Sequence, residues 1–522
     1  MFFSDKNATT DQYIHLSEKT ISRRQKMNKD YTWYDRQISI DYIQAVSKIG
    51  VTIHRQSNWL NAVSVSGTNK QIQKIYNLPF VNKIQPVARF VRKNSELFTP
   101  SFNSKTIPTD TSFYGFAWEQ MDQINCNTAH DAGYFGQGIR VLILDTGFNT
   151  ELSVFDSLNI VDEWDFINND GNTANETDDA LSQHNHGTMV FSAMAGYDPG
   201  NLVGPAYGAE FLLAKTEDVT SESIVEEDNY VAALEWGEQN GADIASSSLG
   251  YLDWYSYCDM DGNTAVTTNA VDIAVNLGMV CVTSAGNWGT SSPPPNPCDT
   301  LYYYISAPAD ADSVIAVGAV NSEGLIASFS SHGPTHDGRI KPEICARGVS
   351  TWCTQPNSNS YRTASGTSLA APLVGGAAAV ILSANPGWTP MQVREAMIMT
   401  ADKSDIPDND YGYGVIDVMA AIDYVTNSID KEIIPNSYSI INVYPNPFNS
   451  TATILLTVDI KHKSQLRIYD INGRLVEILL DEIVNPGKTK IEWNAANNPS
   501  GLYILQLKTK NNIYTKKITH IK

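Results

Sequence analysis

Residues 139–147 read IRVLILDTG, an aliphatic run that ends at Asp145 and is followed by Thr-Gly. A short continuous apolar run is typical of a strand buried on both faces of a parallel sheet. Four similar runs follow, with helical patterns such as NYVAALEWGEQNG and TTNAVDIAVNLG between them: AEFLLAKTE, ADIASSSLG, GMVCVTSAGN and SVIAVGAV. Apolar strands that alternate with helices predict an α/β fold with a doubly wound, mostly parallel sheet. Function in such sheets collects at the carboxyl ends of the strands, where Asp145 lies.

The length of 522 residues is too great for one ordinary core, so two or three domains are expected. Changes of pattern give five segments: a small α+β unit at 1–95, a Ser/Thr/Pro/Asn-rich linker at 96–112, the α/β domain at 113–425, a second linker at 426–439 and a small β-sandwich at 440–522. The first linker has the composition of an exposed, cleavable segment. In the last segment, Asn472-Gly473 between alternating strands predicts a hairpin.

Charge is divided unevenly along the chain, whose net charge is −21. Residues 1–112 carry 16 Lys and Arg against 8 Asp and Glu, residues 113–435 carry 9 against 43, and residues 436–522 carry 11 against 6. The acidic middle segment repels nucleic acid and anionic membranes, so we expect neither as a partner. The partition is explained either by solubility alone or by docking of the basic N-terminal segment on the acidic middle segment.

Neither the start of the chain nor its apolar runs match a membrane or export signal. No apolar run approaches the roughly 18 residues that a membrane span needs. The start, MFFSDKNATT, lacks the basic and apolar regions of a secretory signal. The chain is therefore expected either to be cytosolic or to begin downstream of such a signal.

Six cysteines occur, at positions 126, 258, 281, 298, 345 and 353. Their spacing matches neither a CxxC motif nor a His-paired zinc site. Cys281 lies inside an apolar run and is interpreted as a small core residue. Cys258 could pair with Cys298, and Cys345 with Cys353, but the sequence leaves both pairings open.

Four polar residues follow or precede strands and helices at junctions rich in Gly, Ala and Ser: Asp145 in DTG, His186 in HGTMV, Asn287 in SAGN and Ser368 in GTSLAAP. Each alone has an ordinary interpretation, such as a turn residue or a helix cap. Together they supply a nucleophile, a base, an acid that orients the base, and an amide donor for an oxyanion. His184 is a rival for the base, but only His186 opens the Gly-Thr helix.

The segments VLILDTG, HGTMV, SSSLG, SAGN and GTSLAAP resemble the signature segments of the subtilisin-like serine proteases, the subtilases, and the resemblance spans residues 113–425. It implies that Ser368 attacks the scissile carbonyl, that His186 takes its proton, and that Asp145 orients the imidazole. It also implies that Asn287 and the backbone N–H of Ser368 stabilise the oxyanion.

The same resemblance places substrate binding at two segments. Ser248, Leu249 and Gly250 should run as an extended strand that pairs with the peptide backbone. Ala285 and Gly286 should line the wall of the primary pocket. Small wall residues favour bulky apolar side chains of the substrate, whereas the acidic field favours cationic ones, and the sequence leaves this choice open.

The chemistry implied by the resemblance needs no cofactor, although a structural calcium ion is plausible because many subtilases bind one. Asp259 and Asp261 in CDMDGNT begin a calcium-loop pattern but lack its remaining ligands. A turn that caps the next helix explains them better. One departure from the family pattern is Met189, where a second His is common; that position is not catalytic.

Both flanking segments also resemble known families. Residues 1–95, through FFSDK, ISRRQ, SNWLNAVSV and LPFVNKIQPV, resemble the propeptide of subtilases from Bacteroidetes-like bacteria. This implies a folding chaperone and inhibitor that is cut off between Pro86 and Tyr114. The tail, through VYPNPFNSTATILL and WNAANNPSGLYILQL, resembles the C-terminal sorting domain of the type IX secretion system. An immunoglobulin-like adhesion module is the alternative for the tail.

The sequence therefore predicts a secreted or cell-surface serine endopeptidase made as a zymogen. Its expected partners are protein or peptide substrates, its own propeptide and the secretion machinery. An inactive subtilase-fold surface binding protein is the alternative, and the presence of all four candidate catalytic residues argues against it. A dinucleotide-binding protein, suggested by Gly136 and Gly138, is excluded because these glycines precede the strand instead of following it.

Overall fold

The computed structural model describes residues 1–6, 13–85, 89–90, 112–220, 222–223, 225–252, 254–290, 292, 298, 303–424, 439–444, 448–458, 462–470, 473–484, 487–496, 498–508 and 513–520. The chain forms two compact units. One contains residues 1–30 and 36–427, and the other contains residues 31–35 and 428–522. Helices and strands are numbered here in chain order.

A seven-stranded sheet forms the centre of the first unit, and all of its neighbouring strands are parallel. Its order is β15-β14-β13-β12-β6-β10-β7, with bounds β6 Arg140–Asp145, β7 Asn159–Asp165, β10 Glu210–Lys215, β12 Ile244–Ser247, β13 Val280–Ser284, β14 Ile315–Val320 and β15 Ile344–Arg347. The predicted parallel sheet is confirmed. The edge strands β7 and β15 were not predicted, because β7 is mixed with charges and β15 has only four residues.

Helices cover both faces of this sheet. The helices of the unit that follow the N-terminal segment are α4 Trp118–Gln123, α5 Cys126–Asp131, α6 Asn185–Ala195, α7 Val225–Gln239, α8 Val266–Asn276, α9 Thr367–Ala384, α10 Pro390–Thr400 and α11 Val418–Asp423. Val141 and Ile143 of β6 share one buried cluster with residues of α6 and α9. Leu142 between them faces the other way, against Gly237 of α7. Alternate side chains of one strand therefore meet different helix layers, as in a doubly wound fold.

Helix α9 is the most deeply buried helix of the core. Every residue from 367 to 382 is buried, and the helix ends at Ala384. Its 18 residues are long and apolar enough to cross a membrane, so the expectation that no apolar run approaches this length is wrong, but 89% of its apolar window is buried inside the protein. It is a core helix.

Short strand pairs complete the first unit: β8 Tyr197–Asp198 with β9 Leu202–Val203, β16 Thr351–Thr354 with β17 Tyr361–Ala364, and β5 Arg89–Phe90 with β11 Glu222–Ser223. The last pair is antiparallel and joins the end of the N-terminal segment to the chain just before α7. A peptide-like strand from residues 89–90 is thus added to the α/β part of the unit.

The N-terminal segment is a small α+β fold, as predicted. Its antiparallel sheet has the order β2-β3-β1-β4, with strands β1 Phe2–Phe3, β2 Thr52–Ser57, β3 Ala62–Ser66 and β4 Val81–Lys83 and helices α1 Glu18–Lys26, α2 Ile40–Ser47 and α3 Asn69–Tyr76. The segment ends in two short strands, β4 and β5, and residues 86–88 between them lie outside the described residues. Helix α1 was not predicted.

The second unit contains two antiparallel sheets, β18-β19-β22 and β21-β20-β23-β24. Their strands are β18 Ser439–Tyr444, β19 Thr451–Val458, β20 His462–Asp470, β21 Leu475–Val484, β22 Gly487–Asn494, β23 Gly501–Lys508 and β24 Ile513–His520. Residues of both sheets, including Trp493 and Leu505, form one buried cluster, which confirms an all-β tail. The predicted hairpin joins β20 to β21; Gly473 has φ +74°, while Asn472 lies outside the described residues.

Cysteine pairing differs in part from the expectations. Cys258 and Cys298 form a disulfide bond, as one open pairing allowed. The pairing of Cys345 with Cys353 is wrong, because both are free and buried on different elements, β15 and β16. Cys281 is a buried core residue, as interpreted, and burial raises the pKa of its thiol.

Candidate active site

Asp145 is the last residue of β6, at the carboxyl edge of the sheet, and is fully buried. Its Oδ1 accepts hydrogen bonds from the backbone N–H of Thr146 at 2.7 Å and from Nδ1 of His186 at 2.7 Å. A carboxylate can only accept, so Nδ1 of His186 carries a proton. In the neutral imidazole this leaves the lone pair on Nε2.

Gly187 allows the imidazole to reach the aspartate. His186 is the second residue of α6, and Gly187 follows it. A Cβ atom placed on Gly187 would lie 2.2 Å from the carbonyl oxygen of Gly147 and 3.0 Å from Cβ of Asp145. Any larger residue would push the start of α6 away from the end of β6. The small residue after the histidine is therefore required by packing.

His184, the rival base, is occupied by other contacts. Its Nδ1 accepts from the backbone N–H of Asn175 at 3.1 Å, and its Nε2 lies 3.0 Å from Oδ1 of Asn357. The side chain is buried. Both ring nitrogens therefore serve to hold the loop before α6 in place, which favours His186 as the base.

Ser368 is the second residue of α9 and is buried. The N-cap residue is Gly366, which has no side chain to cap the helix, and Ser368 lies inside the first turn. Instead, Oδ1 of Asn287 accepts from the backbone N–H of Thr367 at 2.8 Å and from its hydroxyl at 3.0 Å. The ordinary interpretation of Ser368 as a cap is therefore wrong, and Asn287 caps α9 from a distant part of the chain.

The same contacts orient the amide group of Asn287. Because its oxygen is bound to Thr367, its Nδ2 points towards Gly366 and Ser368. A Cβ placed on Gly366 would lie 2.8 Å from Oγ of Ser368 and 3.6 Å from Nδ2 of Asn287. The hydroxyl and the amide donors thus border one small space that glycine leaves open.

The starts of α6 and α9 lie side by side. Met189 and Leu369, which are three residues after His186 and one after Ser368, belong to the same buried cluster. Met189, the departure from the family pattern, therefore serves as packing between the two helices. The structure brings Asp145 and His186 into direct contact, and Ser368 together with Asn287 at the neighbouring helix start.

The predicted substrate segments follow adjacent strands. Ser248, Leu249 and Gly250 follow β12, and Ala285 and Gly286 follow β13. The hydroxyl of Ser248 donates to the carbonyl oxygen of Ser368 at 2.9 Å, which ties the first segment to the start of α9.

Ser306 lies between these two segments and was missed by sequence reasoning. A Cβ on Gly250 would lie 2.4 Å from its Oγ, and a Cβ on Gly286 would lie 3.4 Å from it. Cδ1 of Trp288 and Oγ of Ser331 would also lie within 3.3 Å of a Cβ on Gly286. No local sequence signal marks Ser306, because its position depends on contacts between distant segments.

Two groups of carboxylates lie close enough together to be considered as cation sites. Asp261 accepts from the backbone N–H groups of Asn263 and Thr264, just before α8, so the turn interpretation of CDMDGNT fits. Ligand atoms of Asp165, Asp170 and Glu176 lie within 4.8 Å of one another. Asp165, however, is paired with the buried ammonium of Lys215 at 2.8 Å, and amides of Asn168 and Asn172 donate to Glu176. These donors already satisfy the carboxylates, and we assign no ion to either group.

A buried carboxylate bound to an imidazole at the edge of a parallel sheet, beside a serine at a helix start, is the arrangement of an α/β serine hydrolase. Comparison with known proteins identifies the family to which the chain belongs within this class. The model of the Subtilase family matches residues 136–414, that of the Peptidase S8 propeptide domain of Bacteroidota matches residues 1–99, and that of the Secretion system C-terminal sorting domain matches residues 442–522. The chain belongs to the subtilase family.

Individual relatives agree with this assignment. Subtilisin DY of Bacillus licheniformis is 35% identical over 323 residues, which cover 61% of this chain and 99% of that protein. Subtilisin E of Bacillus subtilis (strain 168) is 29% identical over 417 residues, which cover 80% of this chain and 91% of that protein. The protein is a secreted or cell-surface serine endopeptidase made with its own propeptide as a zymogen. The predictions of enzyme class, propeptide and sorting domain are confirmed, and the inactive alternative is not favoured.

Proposed function

We propose that Asp145, His186 and Ser368 are the catalytic triad of this endopeptidase. The observation that carries the proposal is the 2.7 Å hydrogen bond between the buried carboxylate of Asp145 and Nδ1 of His186. This bond keeps the proton on Nδ1, so that Nε2 can take the proton of Ser368 as its oxygen attacks the scissile carbonyl. The buried carboxylate then stabilises the imidazolium that forms.

His186 delivers the same proton to the leaving amine, and the C–N bond breaks to leave an acyl group on Ser368. Water then enters, loses a proton to Nε2 and attacks the ester carbon. The acid product leaves as Ser368 regains its proton from His186. The reaction consumes one water and needs no cofactor.

We propose that Asn287 and the backbone N–H of Ser368 form the oxyanion hole. The oxygen of the Asn287 amide is held by Thr367, which leaves the N–H groups directed towards the space beside Ser368. The N–H of Ser368 is among the first of α9, where backbone N–H groups have no partner within the helix. Donors fixed before the reaction stabilise the negative oxygen without reorganisation.

The substrate is proposed to bind as an added strand along residues 248–250, with its main side chain between these residues and Ala285-Gly286. The described atoms nearest to Gly250 and Gly286 belong to hydroxyl, carbonyl and indole groups of Ser306, Ala307, Ser331 and Trp288. None of these groups carries a charge that would pair with a cation. We therefore propose that uncharged apolar or aromatic side chains are preferred over cationic ones at this pocket.

We propose the following division of the chain: propeptide 1–95, linker with the processing site 96–112, catalytic domain 113–425, linker 426–439 and sorting domain 440–522. The pairing of residues 89–90 with 222–223 supports a path of the propeptide end along the catalytic domain. Cutting is proposed between Pro86 and Tyr114. The tail is proposed to be recognised by the type IX secretion machinery.

The test compares wild-type protein, Ser368→Ala and His186→Ala on casein, with a serine-directed inhibitor added to wild type. We expect both variants to lose hydrolysis by several orders of magnitude, about 10⁴-fold or more. His336→Ala, which removes an exposed histidine of the same domain, serves as the matched control and should keep most of the activity. Equal hydrolysis by wild type and Ser368→Ala, with circular dichroism showing that both are folded, would discard the assignment.

A further inference from the structure

Helix α1 of the propeptide lies against the carboxyl ends of two catalytic-domain helices, α7 and α8. Arg23 and Arg24 are 5% and 1% exposed, and Glu238 of α7 is fully buried. Nη2 of Arg23 lies 2.5 Å and Nε of Arg24 lies 2.8 Å from the same carboxylate oxygen, Oε1 of Glu238. Lys19 lies 3.2 Å from Asp243 beside them. Buried cations and carboxylates are costly unless paired, so these side chains depend on each other.

The backbone ends of the two helices bind the same segment. The hydroxyl of Thr20 donates to the carbonyl oxygen of Glu238 at 2.6 Å, and the backbone N–H of Ser17 donates to that of Gln239 at 2.9 Å. Lys29 donates to the carbonyl oxygen of Asn276, the last residue of α8. The last carbonyls of a helix lack partners within it and carry partial negative charge. The cationic segment therefore supplies both hydrogen bonds and positive charge to the carbonyl groups at these helix ends.

Two glycines shape this surface for close approach. Gly241 and Gly278 follow α7 and α8 with φ of +84° and +108°. A Cβ on Gly241 would lie 2.8 Å from Cβ of Lys19, and a Cβ on Gly278 would lie 3.1 Å from Sδ of Met27. Both positions therefore require glycine for their backbone and leave room for the propeptide.

We propose that residues 17–29 are a separate anchor of the propeptide, bound to a cation-binding site formed by Glu238, Asp243 and the carboxyl ends of α7 and α8. The strand pair of residues 89–90 with 222–223 lies at the other end of α7, which has 15 residues and is about 22 Å long. The propeptide is thus held at both ends of this helix. The anchor itself does not depend on the proposed function. Only the statement that the bound propeptide inhibits the enzyme rests on it.

The anchor affects how fast the propeptide is released once the linker has been cut. The strand at residues 89–90 lies close to the cut and can leave first, whereas the anchor keeps the propeptide bound. A segment held at a second site rebinds with a high effective concentration. Release of the enzyme therefore requires loss of the anchor. Because the arginine pairs are buried, salt should weaken them less than it weakens exposed pairs.

The test uses the full chain with Ser368→Ala, so that it does not depend on peptidase activity, and a recognition sequence for a sequence-specific protease inserted between residues 100 and 101. After cutting and dilution, gel filtration follows the release of the N-terminal fragment. In the Arg23→Gln/Arg24→Gln variant we expect release roughly 30-fold faster or more. Lys26→Gln, an exposed position on the same helix, is the matched control and should release as the parent does.

Lys19→Gln is a second test variant that can be used if the double variant does not fold. Lys19 is partly exposed, so the protein should tolerate its substitution better. This variant should release the fragment several-fold faster than Lys26→Gln, in line with the loss of the ion pair with Asp243 and of the hydrogen bond to the carbonyl oxygen of Gly138. If Lys19→Gln and the double variant release the fragment at the rate of Lys26→Gln, the anchor does not exist. Failure of the triad assignment would leave these rates unchanged, so the two proposals fail separately.

Discussion

At the scale of single residues, the contact between Asp145 and His186 depends on the missing side chain of Gly187. In Gly187→Ala the new Cβ would lie 2.2 Å from the oxygen of Gly147, so α6 must move. We expect kcat/KM to fall by at least about 10²-fold, since small misplacements of catalytic groups have such effects. Gly387→Ala, where no neighbouring atom of the described residues lies within 4 Å of the new Cβ, should leave activity unchanged. Full activity of Gly187→Ala in a casein assay would contradict the packing argument.

Asn287 caps α9 and is also proposed to stabilise the oxyanion, and one substitution distinguishes these two roles. Asn287→Asp keeps an oxygen that accepts from Thr367 but replaces the N–H donors with a second oxygen. We expect kcat to fall by about 10²–10³-fold or more with KM little changed, because the donors act on the transition state. The melting temperature should stay close to that of wild type. A loss confined to KM would show that Asn287 binds substrate and does not stabilise the oxyanion.

Residues of the candidate site could be predicted from the sequence only where a pattern within one short segment marks them. Asp145, His186, Asn287 and Ser368 each stand beside small residues at a strand or helix end, and that pattern is visible in one segment at a time. Ser306 could not be found in this way, because it is defined by its approach to Gly250 and Gly286 from another part of the chain. The cap of α9 by Asn287 is non-local for the same reason.

At the scale of elements, the centre of α9 is packed too closely for any side chain at two glycines. A Cβ on Gly376 would lie 2.6 Å from Cγ of Pro205, and one on Gly375 would lie 2.7 Å from Oγ of Ser246. We expect Gly376→Ala to lower the net free energy of unfolding by up to about 2 kcal/mol, because overpacking costs about 1–3 kcal/mol. Its gain in helix propensity is only about 1 kcal/mol. Thermal unfolding in the Ser368→Ala background measures this, and a rise in stability would show that α9 has room to shift.

Elements were predicted from the sequence where apolar residues mark them. The strands β6, β10, β12, β13 and β14 are apolar runs, and all were found. Helix α1, with the sequence EKTISRRQK, has no apolar stripe because it buries arginine and threonine instead. Periodicity of apolar residues cannot detect a helix whose buried face is ionic, since its partner, Glu238, lies more than two hundred residues away in the chain.

At the scale of the whole chain, the opposite charges of the propeptide and catalytic segments do meet, as one reading of the charge partition suggested. Arg23 and Arg24 reach Glu238, and Lys19 reaches Asp243. The sequence could not show, however, which acids become buried in this contact. One of them, Glu235 of α7, is covered by the turn after β2 and accepts from the Ser57 hydroxyl at 2.5 Å and from the backbone N–H groups of Asn58 and Trp59.

Burial raises the pKa of Glu235 to about 7, against the effect of these donors and of Lys6. When the propeptide leaves, the carboxyl meets water and its pKa returns to the usual range for glutamate. The bound state therefore holds the proton more tightly than the released state. Association is strongest below the pKa of the released form and weakens as the pH rises to about 7. Burial also raises the pKa of Asp228 at the same contact, which acts in the same direction.

We therefore expect the cut Ser368→Ala protein to release its propeptide faster at about pH 8.5 than at about pH 5, by roughly a hundredfold if Glu235 acts alone. The glutamine in Glu235→Gln is uncharged at both pH values, so most of the difference between the two release rates should disappear. Release is followed by gel filtration at constant ionic strength, so that screening of the exposed pairs stays the same. A pH effect of equal size in Glu235→Gln would assign it to other groups, and slower release at high pH would reverse the sign of the argument. The arginines of the anchor stay charged over this range, so the anchor should hold equally at both pH values. The pH dependence of release should therefore survive in Lys19→Gln, while the overall rate of release rises.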